Sequence, residues 1–476
     1  MTLRLGTTAG RGALAASALA SGMAFLDMTV VNVALPHIGR ELGATIEGLQ
    51  WTVTGYTLTL AAFVLLGGAL ADRYGRRRVF LLGVLWFTAS SLLCGLSPNI
   101  GLLVAARALQ GVGAALLTPS SLALVQSSYD EQDRGRAIGA WSGFSGVSTA
   151  VGPFLGGWLI DALSWRWIFF LNVPIAVASV AAALRWVPES RGGQGHRFDL
   201  PGALLAALGL AGTSYALIQK VWWPGLLGLA ALAAFVLVEW RRGDAAMLPL
   251  RLFASARFST LNVVTLFVYA GLSGVAFFLV VELQTVAGYS ALVAGTALLP
   301  LTILMLVGSA RSGALAARIG PHWLLASGGL VGAAGAVLLE RIGSGANYLT
   351  DVLPAAVLVA LGMVLIVAPL TTAVLAAAPG ELTGVASGVN NAVARAAGLL
   401  AIATLPFAVG LTGREYADPP ALDAAYHRAL WYCAGLFLLG GLTALLLVPA
   451  GAGRAQRPPS PSRRLPAVDR AGDRAQ

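Results

Sequence analysis

Apolar stretches of about 20 residues repeat along the whole chain, separated by short breaks of Gly, Pro and Arg. A helix of about 20 apolar residues crosses the roughly 30 Å of hydrocarbon in a bilayer. Only 11% of the 476 residues are charged, compared with about 25% in soluble domains. The sequence therefore predicts an all-α integral membrane protein and excludes a water-soluble globule.

Fourteen membrane-spanning helices are predicted by a 20-residue apolar window and by the breaks between stretches. They lie near 13–35, 49–70, 79–97, 101–125, 137–160, 166–187, 200–219, 222–240, 258–283, 291–312, 321–340, 350–377, 384–411 and 427–449. We expect a six-helix N-terminal half in 1–187, two linker helices with flanking loops in 188–257, a six-helix C-terminal half in 258–449, and a disordered tail in 450–476. No gap is long enough to hold a soluble domain, so the helix bundle must carry the function.

The distribution of basic residues predicts the orientation of the bundle. The net charge is +10, and 22 of the 31 basic residues fall in the tails and in the loops on the side of the termini, against six in the loops on the other side. Cytoplasmic loops are enriched in Lys and Arg, so both termini are expected to be cytoplasmic in a multi-pass protein of the bacterial inner membrane. Because the arginines flank apolar spans, the expected partner is the lipid bilayer and not nucleic acid. Cys94 and Cys433 have no metal-ligand spacing, and no metal site is predicted.

A short internal repeat indicates two homologous halves. Gly67–Gly75 reads GGALADRYG and Ser312–Gly320 reads SGALAARIG, identical at six of nine positions. Each segment follows the second helix of a six-helix series. Transporters are commonly built from such repeats, with the substrate site near the midplane where the halves meet. The repeat therefore favours a transporter.

Asp27 is the strongest candidate for proton transfer. It lies about nine residues before Pro36, roughly 13 Å from the end of the first predicted helix. A carboxylate at this depth is costly and usually faces a cavity or a partner, and such residues often relay protons. A purely structural Asp bonded to its helix neighbours is the alternative.

Arg107 and Glu282 are further candidates for proton coupling. Arg107 lies at the same depth as Asp27 and needs an acceptor, which Asp27, Gln110 or a backbone carbonyl can supply. It can equally serve to lock two helices together. Glu282 ends an aromatic-rich span and can be a second titrating site, a contact for a cationic substrate, or an ordinary interfacial Glu. Arg395, in a span rich in small residues, is expected to be structural.

The segment Gly68–Arg78 (GALADRYGRRR) is expected to form a conformational latch. Asp72 can accept hydrogen bonds from an Arg such as Arg73 or Arg76, or from a helix N-terminus, while Gly68 and Gly75 permit close approach and a tight turn. Simple positive-inside anchoring is the alternative. In the second copy Ala317 stands where the first has Asp72, so the latch should be asymmetric.

The fifth predicted helix carries Gly152, Pro153, Gly156 and Gly157. Pro153 removes a backbone hydrogen bond and the glycines remove bulk. The pattern predicts a hinge or a tight seal, with generic packing of small residues as the alternative.

Six segments carry motifs in chain order: LDMTVVNVALP (Leu26–Pro36), GALADRYGRRR (Gly68–Arg78), ARALQGVGAA (Ala106–Ala115), GPFLGG (Gly152–Gly157), WRWIFFLNVP (Trp165–Pro174) and GVASGVNNAVARAAG (Gly384–Gly398). Together they resemble the major facilitator superfamily, and in particular its fourteen-helix drug:proton antiporters. The resemblance implies proton coupling by Asp27 and Arg107, a latch at Asp72 and Arg73, and an antiport element at Gly152 and Pro153. Ser148 replaces a Gly expected in that element, Glu282 replaces a neutral residue, and Lys220 has no motif context.

We expect an exporter that moves amphipathic or cationic drug-like molecules outward against proton influx by alternating access. The cargo cavity is expected to include Trp51, Tyr56, Phe63, Gln110, Phe267, Phe278 and Asn390. No P-loop is present, so the expected energy source is the proton gradient with no cofactor. We expect a monomer.

Three other functions remain open at this stage. The chain can export one specific metabolite or endogenous antibiotic, or take up a substrate together with protons. It can also be a membrane sensor or scaffold that does not transport and whose tail recruits a partner.

Overall fold

The computed structural model describes residues 3–191, 199–243, 248–379, 382–411 and 418–448. These residues form long α-helices and no strand, apart from one isolated bridge between Leu3 and Tyr129. The all-α membrane fold is therefore confirmed. The predicted tail, 450–476, lies outside the described residues.

Fourteen long helical segments follow one another along the described chain. They are α1 Thr8–Leu42, α2 Ile46–Tyr74, α3 Arg76–Gly95, α4 Ile100–Ser128, α5 Glu131–Ala162, α6 Trp167–Trp186, α7 Leu200–Gln219, α8 Trp222–Arg242, α9 Ala256–Thr285, α10 Ala291–Ile319, α11 Pro321–Leu338, α12 Leu353–Ala376, α13 Thr383–Ala408 and α14 Pro419–Leu447. A short break divides α6 after Phe170 and α10 after Thr296. A 3-10 turn, Leu339–Arg341, follows α11, and a π turn, Tyr348–Val352, precedes α12.

Among the described residues, twelve of these helices are long and apolar enough to cross a membrane. The helix α2 is bent by 49° between Ile46–Val64 and Leu66–Tyr74, and it makes a thirteenth span when both parts are counted together. The remaining helix, α5, is 32 residues long but rich in Gly and Ser, with charged residues in its first two turns. It packs against α1 and α4 in the bundle.

Short polar side chains start many of the helices. Their hydroxyl, amide or carboxylate oxygens accept a hydrogen bond from a free N–H group in the first turn. Residues of this kind precede α1, α2, α4, α5, α7 and α9: Thr7, Thr45, Asn99, Asp130, Asp199 and Ser255. The starts of the spans are thus fixed by local chemistry.

The internal repeat corresponds to two equivalent corners. Gly75 joins α2 to α3 at φ 113° and ψ 127°, and Gly320 joins α10 to α11 at φ 94° and ψ 145°. This region of backbone space is open to Gly and strained for other residues. The repeated Gly is therefore required by the turn in both halves.

We call α1–α6 the N-terminal half and α9–α14 the C-terminal half. The helices α7 and α8 pack on each other, and α7 reaches the remainder through α2 and α13. Lys220 between them is the only described non-Gly residue with positive φ, at 58°, and it ends α7 as a left-handed cap. This cap gives Lys220 a structural role that the sequence left open.

Because the spans alternate in direction, the first described residues and the end of α14 lie on one face of the bundle, the terminus face. The turns that follow α1, α3, α5, α7, α9, α11 and α13 lie on the opposite face. On the terminus face, Leu5 N donates to Asp133 Oδ2 at 2.9 Å, and Tyr129 Oη donates to the Gly10 carbonyl at 2.5 Å. These bonds hold the N-terminal segment against the turn between α4 and α5.

Candidate functional site

A cavity of about 430 Å³ lies between the two halves. It is lined from α1, α2 and α4 on one side and from α9, α12 and α13 on the other. Its wall consists of Met28, Val31, Asn32, Val53, Tyr56, Thr57, Arg107, Tyr269, Ser273, Ala276, Thr371, Val374, Leu375, Ser387, Asn390, Asn391, Ala394, Arg395, Gly398 and Ile402. Small-molecule sites of this size are concave and largely apolar, with a few polar groups that fix orientation.

Two of the seven side chains predicted to line the cargo cavity do so, Tyr56 and Asn390. The amide nitrogen of Asn390 donates to Thr265 Oγ1 at 2.7 Å and to Asn262 Oδ1 at 3.2 Å. These bonds from α9 fix the orientation of the amide at the cavity wall.

The other five predicted cavity residues do not line this cavity, and their part in cargo binding stays a prediction. The Trp51 ring packs on Tyr215 of α7, with centroids 6.1 Å apart. The Phe278 ring is buried in the C-terminal half, edge-on to Phe277 at 5.4 Å. Phe63 packs against the core of the N-terminal half, and Phe267 packs against α14 near Gly440. Gln110 belongs to the buried polar network around Asp27.

Asp27 is at the centre of a buried polar network in the N-terminal half. Arg107 Nη1 donates to Asp27 Oδ2 at 2.5 Å, and Gln110 Nε2 donates to Asp27 Oδ1 at 2.9 Å. Asp27 and Arg107 are each 1% exposed. A fully buried pair of opposite charges, joined to a neutral amide, is held by hydrogen bonds on both sides.

Arg107 uses all three kinds of acceptor that the sequence suggested. Besides Asp27, it donates from Nη1 to Gln110 Oε1 at 2.7 Å and from Nε to the Thr52 carbonyl at 3.2 Å. Its guanidinium carbon lies 4.4 Å from the centre of the Tyr56 ring, a cation–π contact. Arg107 thus ties α4 to α1 and α2, and it also lines the cavity.

Asn172 is a member of this network that the sequence analysis did not select. Its Nδ2 donates to Asp27 Oδ1 at 3.3 Å and to Ser91 Oγ at 2.9 Å. The sequence does contain a feature that marks Asn172, since it is a polar amide in the apolar segment WRWIFFLNVP. Asp27 therefore receives donors from α4 and α6, and it reaches the cavity through its neighbours Met28 and Arg107.

Glu282 lies apart from the cavity, near the end of α9 on the opposite face. It is buried, and neither carboxyl oxygen has a hydrogen-bond donor among the described residues. It faces Asp423 in the first turns of α14. Its proposed part in proton coupling stays a prediction, with no direct link to Asp27.

The predicted latch segment is held within the N-terminal half. Arg76 donates from Nε to Asp72 Oδ1 at 2.9 Å, and Arg73 lies over the Tyr74 ring at 5.5 Å. In the described part of the chain, the segment has no hydrogen bond or ion pair to the C-terminal half. The close approach expected at Gly68 occurs one residue earlier, since a Cβ at Gly67 would lie 2.0 Å from the Ala115 carbonyl oxygen.

Glu189, which the sequence analysis did not select, caps the start of α3. Its carboxylate accepts from the backbone N–H groups of Arg77 at 3.0 Å and Arg78 at 3.2 Å. A Cβ at Gly75 would lie 2.8 Å from Glu189 Oε1, so the Gly leaves room for the carboxylate. An anion at a helix N-terminus is stabilised by the free N–H groups and the helix dipole.

We expect Glu189→Gln to lower the free energy of unfolding by about 1 kcal/mol, because the neutral amide interacts more weakly with the helix N-terminus. The reactivity of the buried thiols of Cys94 and Cys433 toward a maleimide dye during heating measures the unfolding temperature. Glu340→Gln, in the 3-10 turn after α11, is the matched control. Equal unfolding temperatures for the two variants would contradict the capping role.

The glycines of α5 allow close contacts with α1 and with the C-terminal half. A Cβ at Gly152 would lie 2.2 Å from Thr29 Oγ1, and a Cβ at Gly156 would lie 2.9 Å from Val30 Cγ1. A Cβ at Gly157 would lie 2.4 Å from the Leu292 Cα atom. We call this close contact of α5 with α1 and α10 the α5 seal; the choice between a hinge and a tight seal stays a prediction.

The Pro153 carbonyl belongs to the same contact, because a Cβ at Gly295 would lie 2.4 Å from its oxygen. Next to it, Asp161 accepts from the backbone N–H groups of Ala291 at 3.1 Å and Leu292 at 2.9 Å. The end of α5 therefore caps the start of α10, in the other half of the bundle.

Two glutamines complete the closure toward the opposite face. Gln284 Nε2 donates to the Val33 carbonyl at 2.9 Å, and Gln50 Nε2 donates to the Ile402 carbonyl at 2.6 Å. Within the described ranges, hydrogen bonds between the halves lie from mid-depth to the opposite face and none lies at the terminus face. The cavity is thus closed on the side away from the termini.

Two helical halves around a closed-ended cavity define a membrane transporter and not an enzyme. The sequence model of the Major Facilitator Superfamily matches residues 17–403. The chain therefore belongs to the Major Facilitator Superfamily, and the resemblance seen in its motifs is confirmed.

Curated relatives and solved structures agree with this assignment. The chain is 38% identical over 445 residues to the puromycin resistance protein pur8 of Streptomyces alboniger, covering 89% of this chain and 88% of that protein. It is 36% identical over 389 residues to the multidrug resistance protein Stp of Mycobacterium tuberculosis (strain CDC 1551 / Oshkosh), covering 80% and 72%. The crystal structure of the peptide transporter POT in complex with sulfate superposes with a TM-score of 0.69 at 17% identity, covering 95% and 97% of the chains, which supports the fold.

Proposed function

We propose that this protein is a proton-coupled antiporter that exports amphipathic small molecules of the antibiotic class by alternating access. The observation that carries the proposal is the Asp27–Arg107 pair. Its carboxylate is buried behind the cavity, while its guanidinium belongs to the cavity wall. The guanidinium of Arg107 thus contacts both the proposed proton site, Asp27, and the proposed cargo site, the cavity.

The coupling follows from the contacts of Arg107. Protonation of Asp27 removes the negative charge that holds Nη1 at 2.5 Å, and the guanidinium then moves relative to Tyr56 and the cavity. Cargo in the cavity acts on the same guanidinium from the other side. Each ligand shifts the equilibrium between facing states only by its difference in affinity for them.

The direction of export follows from the orientation. Lys and Arg are concentrated on the side of the termini, which supports a cytoplasmic position of the terminus face in a bacterial inner membrane. With that orientation, the closed opposite face is the outer one, and we assign the structure to a cytoplasm-facing state. The protein works as a monomer on the proton gradient alone, with no cofactor.

The breadth of cargo separates two candidates. One relative is named a multidrug resistance protein and another a puromycin resistance protein, so a broad and a single-compound cargo range are both considered for this chain. We favour a broad range, since the cavity wall combines apolar side chains with scattered amides and hydroxyls. An exporter of a single endogenous antibiotic or metabolite is the second candidate.

Everted membrane vesicles containing the full chain test the proposal. After a respiratory substrate has acidified the lumen, addition of nalidixic acid or chloramphenicol should dissipate the pH gradient, reported by an acridine dye. Vesicles without the protein give the background. Accumulation of a compound that leaves the pH gradient unchanged would exclude proton antiport, and a response to a single compound would favour the second candidate.

A further inference from the structure

The charge of the cavity wall is positive. This inference rests on the proposed function and concerns the chemical class of the cargo. Among the residues that line the cavity, the two charged ones are Arg107 and Arg395, and no Asp or Glu belongs to the wall. The other polar groups are the amides of Asn32, Asn390 and Asn391 and the hydroxyls of Ser, Thr and Tyr side chains.

The two arginines differ in how their charges are balanced. Arg107 is neutralised by Asp27, and it also donates to Gln110 and to the Thr52 carbonyl. Arg395 has no carboxylate within 4.0 Å among the described residues. The cavity wall therefore carries the charge of one guanidinium that no described acidic side chain offsets.

Arg395 extends across the boundary between the halves. It belongs to α13, and its Nη1 lies 3.6 Å from the Met28 sulfur atom of α1. A thioether is a weak acceptor and leaves most of the five N–H donors of the guanidinium available. The side chain is partly exposed, toward the cavity that it lines. Met28 directly follows Asp27 in the chain, so Arg395 contacts the residue beside the buried carboxylate.

We propose that Arg395 is the binding group for an acidic substituent of the cargo, a carboxylate or an ionised phenol on an amphipathic ring system. A guanidinium in a partly dehydrated cavity forms short, charge-assisted hydrogen bonds with a carboxylate, frequently in pairs. The same charge repels an ammonium group, and the wall has no carboxylate to receive one. The cargo is thus an amphipathic organic acid; of the amphipathic or cationic molecules expected from the sequence, the cationic ones are disfavoured.

Three fluorescent probes that differ in one substituent test this proposal: 9-anthracenecarboxylate, 9-anthracenecarboxamide and 9-(aminomethyl)anthracene. Their dissociation constants are measured at neutral pH on the purified full chain, with binding to protein-free micelles subtracted. We expect the acid to bind at least tenfold more tightly than the amide, and the amide more tightly than the ammonium probe. A tenfold difference corresponds to about 1.4 kcal/mol.

Arg395→Gln should weaken binding of the acid at least tenfold and change binding of the amide less than twofold, while Arg395→Lys should retain part of the preference for the acid. Arg185→Gln, which removes an exposed arginine outside the cavity, is the matched control. Equal weakening of all three probes by Arg395→Gln would make Arg395 a structural residue and overturn the proposal.

The order of the three probes on the unmodified protein also decides the question by itself, even if Arg395→Gln does not fold. Tighter binding of the ammonium probe than of the acid would refute the acidic cargo. Equilibrium binding requires no proton gradient, so this result is independent of antiport. If the compounds do not dissipate the pH gradient in vesicles but the acid still binds selectively, only the proposal of proton coupling is refuted.

Discussion

Asp27→Asn is expected to abolish uphill export, with accumulation of cargo in everted vesicles reduced at least about 100-fold, to the level of vesicles without the protein. The amide keeps the shape of the carboxyl group, and its oxygen can still accept from Arg107. It can neither bind nor release a proton. Because the charge that holds Arg107 at 2.5 Å is lost, the guanidinium is left buried without its anion. Breaking such a pair costs about 3–5 kcal/mol.

Counterflow measurements separate the loss of coupling from the loss of folding. Asp27→Asn vesicles preloaded with cargo should still exchange labelled for unlabelled cargo, since exchange needs no net proton movement. Asp27→Glu should keep part of the uphill export, because its carboxyl group can titrate. Asp351→Asn, in the turn before α12, is the matched control and should export like the parent. Uphill export by Asp27→Asn at the parental rate would refute the coupling scheme.

The polar network of the site could largely be predicted from the sequence. Counting the helix rise from the ends of two spans placed Asp27 and Arg107 in one layer, and the structure joins them directly. Gln110, one turn after Arg107, was among the expected acceptors and binds both residues. Buried charges in lipid need partners, so few arrangements are available to them.

The apolar lining of the cavity could not be predicted. A span in a membrane is apolar on all sides, so hydropathy does not show which face meets a cavity, a neighbouring helix or lipid. Trp51 faces α7 and Phe278 faces the C-terminal core for this reason. The sequence-based choice of aromatic residues selected large side chains, whereas α13 contributes mainly small and polar ones.

Contacts between segments that are distant in the chain could not be predicted from the sequence either. Asp161, Gln284 and Gln50 close the opposite face by bonding to backbone groups more than 100 residues away. Backbone N–H and carbonyl partners leave no mark in a sequence, so the sequence contains no pairing pattern for these contacts. The Gly-Pro-Gly-Gly element of α5 did mark this region, because close helix approach requires small residues.

A substitution in the close contact between α5 and α10 is expected to change the equilibrium between the two facing states. Gly157→Ala is expected to shift the protein toward the state in which the opposite face is open, by about tenfold or more. The new Cβ would lie 2.4 Å from the Leu292 Cα atom and 2.7 Å from the Ala291 carbonyl oxygen. Both are backbone atoms that cannot rotate away, so the halves must separate there. The clash exists only where the halves touch, and the open state is not penalised.

Thiol labelling from the outside measures the shift. In a Cys94→Ala, Cys433→Ala background, Asn32→Cys places a thiol in the cavity wall. A membrane-impermeant maleimide should label it at least about tenfold faster when Gly157→Ala is present, in proportion to the population of the open state. Gly146→Ala is the matched control on the same helix, because a Cβ at Gly146 would have nothing within 4 Å.

The same variant connects the seal to transport. Alternating access requires both states to be populated in turn, so a protein held open on the opposite face should lose most of its uphill export while remaining folded. The buried Asp27–Arg107 pair lies outside the clash and should be unaffected. Faster labelling with parental export would show that the seal does not limit the cycle. Unchanged labelling would show that the contact between α5 and α10 yields without opening the cavity.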